Sequence, residues 1–201
     1  GKNEMVQVKD RKSLCQYECV VSIDDIEATD KEDIGPLSIA SYDIECTSGD
    51  GSFPSYDREE DRIIQIGTTY ERYNDGDKTY YNNIITLGGC DDIKDVDVVS
   101  CETELEVLIE WCNLIRDTDP DIITGYNING FDYKYIFNRI EYLLKNKKEE
   151  DKEYYKDLTL SYGRLKERCK HKSQLLQSSA LGQQELFYII MEGRINIDLL
   201  A

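Results

Sequence analysis

The sequence predicts an α/β domain whose sheet joins an antiparallel meander to a parallel strand. Three observations predict it. Three β-leaning segments follow one another between Leu37 and Leu87, a helical period takes over after Glu102, and a second strand and helix follow Asp119 and Pro120. Residues 37–45 are apolar and read as a buried strand, and residues 62–70 read as the second strand. Residues 79–87 form the third, with Asn74, Asp75, Gly76 and Asp77 supplying hairpin turn chemistry.

Over residues 102–116, Leu105, Leu108, Ile109, Cys112 and Ile115 fall on one helical face. Thr103 or Cys101 opens this helix among acidic residues, which suits its dipole, and Asp119 with Pro120 stops it. Residues 121–124 read as a short buried strand and 125–130 as a loop. Residues 131 to about 145 read as a helix with Ile136, Ile140 and Leu143 inward. Residues 146–156 read as a charged surface stretch, and 186–200 as a late hairpin turning at Glu192 and Gly193. Residues 1–36 are polar, run through an acidic stretch to Gly35 and Pro36, and read as a lead-in from a neighbouring domain. The domain proper is expected over 37–201.

Composition narrows the chemistry. With 24 Lys and Arg against 41 Asp and Glu, the formal charge is −17, so the chain is no charge-driven nucleic-acid binder. A metal site built from carboxylates stays open. Seven cysteines without a CxxC and a single histidine argue against zinc and against a Ser-His-Asp hydrolase, and they suit a reducing intracellular compartment. His171 lies in a basic run and reads as solvated. That run, Arg164, Lys166, Arg168, Lys170 and Lys172, reads as a solvated loop or as a contact for a phosphate backbone. No apolar run is long enough for a membrane span, so no membrane partner is expected.

Asp43 and Glu45 stand two residues apart on the first strand and therefore project from one face. Like charges held together repel, and a divalent cation such as Mg²⁺ or Mn²⁺ relieves them. On spacing alone, a solvated strand end is the plainer account of the pair. Asp132 stands just inside the helix after the 125–130 loop. The strand before that loop would run beside the Asp43 strand, and α/β sheets place their sites at the carboxyl ends of strands. A simple preference for the helix N-terminus explains Asp132 alone.

The motifs carry a resemblance. Ser41-Tyr42-Asp43-Ile44-Glu45-Cys46, then Phe53-Pro54, then Ile63-Ile64-Gln65-Ile66-Gly67, resemble the first exonuclease motif of family B DNA polymerases and its following strand. Residues 119–132, ending Asn127-Ile128-Asn129-Gly130-Phe131-Asp132, resemble the second motif and its lead-in, and residues 193–198 the strand before the third. The likeness spans about residues 15–201 and is strongest to the polymerase delta branch, which includes polymerases of large DNA viruses. A Tyr- and Asn-rich composition with Lys over Arg suits the AT-rich genome of such a virus or a protist.

The resemblance implies a ribonuclease-H-like fold and a 3′→5′ proofreading exonuclease that is part of a replicative DNA-directed DNA polymerase. It implies two-metal hydrolysis of the 3′-terminal phosphodiester with Mg²⁺ or Mn²⁺. Asp43 and Glu45 would hold one ion, and Asp132 the other, directly or through water. Phe131 would wall the terminal nucleotide, Asn127 would hydrogen-bond the strand, and Phe53 would approach a frayed base or pack into the core. The implied partners are a single-stranded 3′ primer end of DNA, the remaining polymerase domains in cis and a sliding clamp, in the nucleus or a viral replication compartment. The family's third motif, a Tyr and an Asp four residues apart, has no match after Gly193. The chain is therefore expected to stop short of that motif and to turn over little alone. A non-catalytic structural domain and a free-standing nuclease of the same fold are the alternatives.

Overall fold

The computed structural model describes residues 4–74, 79–178 and 182–200. Residues 4–36 hold little regular structure. β1 (Glu4–Met5) pairs with β2 (Cys19–Val20), and a bridge from Ser13 to Leu165 ties this segment to the body.

Alternation builds the central strand. β3 (Leu37–Cys46) turns Ala40, Tyr42 and Ile44 into the core and Ser41, Asp43 and Glu45 to the open face. It is buried on one face. β4 (Ile63–Tyr73) and β5 (Thr79–Leu87) continue antiparallel as the expected meander, with Asp43 opposite Gly67. The expected turn at Asp75 to Asp77 lies outside the described residues. β6 (Asp97–Cys101) then runs parallel to β5, a strand that no period announced.

α1 (Glu104–Thr118) begins at a capping box: Thr103 Oγ1 accepts from the Glu106 N–H, while Glu106 accepts from the Thr103 N–H. It ends where Asp119 turns left-handed, φ 47°. The buried face is Val107, Leu108, Trp111, Cys112 and Ile115, rotated away from the expected Leu105 and Ile109, which are only partly covered. Trp111 sets the rotation, because its ring packs 4.8 Å from Tyr42 beneath β3. Thr103→Ala is expected to cost about 1 kcal/mol. A urea midpoint lowered at constant m would show it; an unmoved midpoint would refute the cap's role.

β7 (Ile122–Gly125) lies parallel to β3, as expected. α2 (Asp132–Leu144) buries Ile136 and Ile140, with Leu144 in the place foreseen for Leu143. The charged stretch after it is a helix, α3 (Glu149–Leu160), which sinks only Thr159 and Leu160. Its weak apolar stripe hid it from the pattern. β8 (Lys170–Ser178) and β9 (Gly182–Ile190) form an antiparallel hairpin. β10 (Ile195–Asp198) adds in parallel to the free edge of β7. The late hairpin is thus replaced: β9 pairs backward with β8, and Arg194, bonded to Asp119 and the Pro120 carbonyl, ties the chain beside β7, where β10 pairs.

The sheet order is β10-β7-β3-β4-β5-β6. In the basic run, Arg164 pairs with Asp119 and Asp121, and the partly exposed Arg168 with Glu153 and Asp157, while Lys166, Lys170 and Lys172 are exposed, as the solvated reading expects. His171 stays exposed, its ring stacked 4.4 Å from Phe187.

Candidate active site

The parallel pair β3 and β7 brings two carboxyl ends side by side. Asp43 and Glu45 stand exposed on the open face of β3. Asp132 opens α2 and is 2% exposed; its Oδ1 accepts the Ile44 N–H at 3.2 Å. That bond fixes Asp132 to the peptide between the two strand acids. Burial and then the charge of Asp43 push the Asp132 carboxyl up to about 7 against the help of the Ile44 N–H. Asp43 and Asp132 are therefore electrostatic neighbours, and Glu45 shares Asp43's face. Among the described residues, no three His, Cys, Asp or Glu side chains gather closely enough to enclose an ion.

The loop between β7 and α2 is tightly shaped. Gly125 leaves room for the β3 backbone: a Cβ there would meet the Tyr42 carbonyl oxygen at 2.5 Å. Asn127 is left-handed, φ 61°, and its carbonyl accepts from the N–H groups of Gly130 and Phe131. Its Oδ1 is buried and has no hydrogen-bond partner.

Phe131 meets Phe53 edge-on at 5.2 Å between ring centres, with Tyr135 behind it at 5.3 Å. Phe53 is 77% exposed, so it lies outside the core and stands as a rim ring beside a cavity of about 200 Å³ lined with Pro54, Phe131 and Lys134. On the open sheet face a wider groove of about 620 Å³ runs past Ser41, Asp43, Thr69, Asn82 and Tyr126.

Three groups that hold this site carried no sequence signal as site residues. Asp61 is buried, accepts the N–H groups of Gly49 and Ser55, and pairs with Arg58, shaping the loop that bears Phe53. Glu104 and Arg139 form a buried pair behind that loop. Asp198 grips the loop before α2.

Asp132 yields a pH prediction. A carboxyl raised in the folded chain binds more protons than in the unfolded chain between about pH 4 and pH 7. Its stabilising contribution is full below the unfolded pKa and is lost as pH rises through the folded one. In chelator, Asp132→Asn should therefore gain on the wild type from pH 5 to pH 8, by on the order of a few kcal/mol. Parallel melting curves across that interval would refute it.

An open mixed sheet with acids at the end of its central strand, and helices packed behind it, is a ribonuclease-H-like α/β domain. The model of the DNA polymerase family B exonuclease domain matches residues 2–201, and the chain belongs to that family, one of metal-dependent nucleases. Its relatives include a DNA polymerase of Pyramimonas orientalis virus, 45% identical over 141 residues, which are 70% of this chain and 11% of the relative. The DNA polymerase delta catalytic subunit of Drosophila melanogaster is 36% identical over 94% of this chain and 16% of its own length. That of Candida albicans is 32% identical over 96% and 18%. The chain thus spans less than a fifth of these relatives.

Proposed function

We propose that this domain removes nucleotides from the 3′ end of a DNA strand, as the proofreading exonuclease of a delta-like replicative polymerase. The observation that supports this most is the junction of Asp43 and Asp132 about the Ile44 peptide, with the Phe53 and Phe131 rings beside it. The residues fit a divalent cation. Two like-charged carboxyls, one buried, gain from a positive charge between them, and Mg²⁺ commonly keeps several waters while taking one or two carboxylates.

Asp43, Glu45 and Asp132 would hold Mg²⁺ or Mn²⁺, two ions in the complete site. Such ions polarise the phosphodiester, supply a nucleophile at neutral pH and stabilise the leaving oxygen. Asp132 would hold the cation as its ionised carboxylate. Phe131 and Phe53 flank the terminal nucleotide, and Asn127 hydrogen-bonds the strand. The family resemblance implies that a Tyr and an Asp of a third motif would complete the set. The strand enters despite the net charge of −17 because the other polymerase domains, in cis, carry the duplex. A sliding clamp is the further partner, and the work is done at intracellular DNA replication, in a nucleus or a viral replication compartment.

A non-catalytic structural role is the second reading, favoured by the lack of a ready three-ligand set among the described residues. The test is release of a mismatched 3′ nucleotide by the polymerase that carries this chain, with and without Asp43 and Glu45. Loss of release supports the nuclease; no change supports the structural role.

A further inference from the structure

We propose that Asp198 is a positioning residue for the exonuclease reaction, its carboxylate setting the loop that carries Asn127, Phe131 and Asp132. This rests on reading the acids of β3 and α2 as a nuclease site. Asp198 ends β10, in register with Gly125 at the end of β7. Its Oδ1 accepts the Asn127 N–H and its Oδ2 the Asn129 N–H, both at 2.8 Å, and Oδ1 also accepts the Leu200 N–H at 2.9 Å.

Two amides of one short loop converge on one carboxylate only if the chain between them is sharply turned. The left-handed Asn127, φ 61°, is that turn. Successive N–H groups arranged so form a concave anion site, and the anion here is a side chain of the same domain. An uncharged residue at 198 would leave the strained backbone without its charge-assisted bonds.

From this grip the geometry runs directly to the site. The Asn127 carbonyl takes the Gly130 and Phe131 N–H groups, and Asp132 follows. A second pin comes from the same strand: Tyr133 donates to Asn196 Oδ1 at 2.6 Å, fixing the residue next to Asp132. On the far side, the Phe187 N–H of β9 donates to the Asn129 carbonyl. Both Asp198 oxygens serve backbone amides, so the carboxylate acts through the loop rather than on substrate.

The test uses the polymerase that carries this chain. Asp198→Asn keeps the size of the side chain but turns an NH₂ toward one loop amide. Exonuclease kcat should fall about tenfold to a hundredfold, the cost of a small misplacement of reacting groups. KM for a single-stranded 3′ end should stay within about threefold, and nucleotide addition should be unchanged. Thr124→Val is the control. It deletes the 2.8 Å bond from Thr124 to the Ile197 carbonyl and loosens β10 without touching the carboxylate, so kcat should stay within about twofold.

Equal losses in both variants, or an unchanged Asp198→Asn enzyme, would overturn the proposal. The variant lacking the Asp43 and Glu45 carboxylates separates the two readings. If it still degrades DNA, the nuclease reading fails. If it is dead while Asp198→Asn is normal, only the positioning role fails. Should Asp198→Asn not fold, hydrogen exchange on the wild type decides: Asn127 and Asn129 amides as fast as the Tyr126 amide would refute the grip.

Discussion

Replacing Asp43 and Glu45 by Ala in the polymerase that carries this chain is expected to slow removal of a mismatched 3′ nucleotide by about a hundredfold to ten-thousandfold. The argument is electrostatic. Both side chains leave β3 on its open face, next to the buried Asp132, whose carboxyl Asp43 already perturbs. Without them a cation would find one buried carboxyl whose Oδ1 already accepts a backbone N–H. Metal charge stabilisation is worth several kcal/mol, and about 1.4 kcal/mol is a factor of ten in rate. Nucleotide addition should be spared, and folding too, because both side chains are exposed. A double variant that removes the mismatch at the wild-type rate would refute the assignment.

Breaking the pair of Glu104 and Arg139 is expected to be the costliest change to stability, about 3–5 kcal/mol for either residue to Ala. Arg139 is 1% exposed and uses all five N–H donors. Two go to the Glu104 carboxylate, at 2.7 and 2.9 Å, and three to the carbonyls of Tyr56, Arg58 and Glu59. Glu104 in turn accepts the Ile63 N–H at 2.8 Å. The knot joins the start of α1, the middle of α2, the start of β4 and the Phe53 loop. Removing one partner strands the other's charge in the core, where charge is most expensive. Replacing both by Leu and Met should cost less than the sum of the single changes, since no charge is left unpaired. Denaturant midpoints would show this. Single variants within about 1 kcal/mol of the wild type would show the pair to be incidental.

Much of the site was legible in the sequence because side-chain direction in a strand follows from period alone. Asp43 and Glu45 had to share a face once residues 37–45 were a strand, and the parallel β7 had to end beside them. The capping residue Thr103 and the stop at Asp119 were equally local. The rings were a harder case: Phe53 read as rim or core, and only its exposure beside Phe131 placed it at the rim.

Other features needed the folded chain. α3 carries charge on most of its surface and only two buried residues, so no periodic stripe marked it, and its place came from packing against α1 and α2. β9 turned back to β8 while β10 went to the edge of β7, where Arg194 reaches Asp119 across 75 residues. Asp198 stands 71 residues from the Asn127 amide it grips. Local period and turn chemistry act between near neighbours, and they decided the strands, the helix caps and the direction of the two strand acids. Strand partners, the burial of Asp132 and the grip on its loop depend on groups distant in sequence, whose energies exist only once the backbone has brought them within hydrogen-bonding reach.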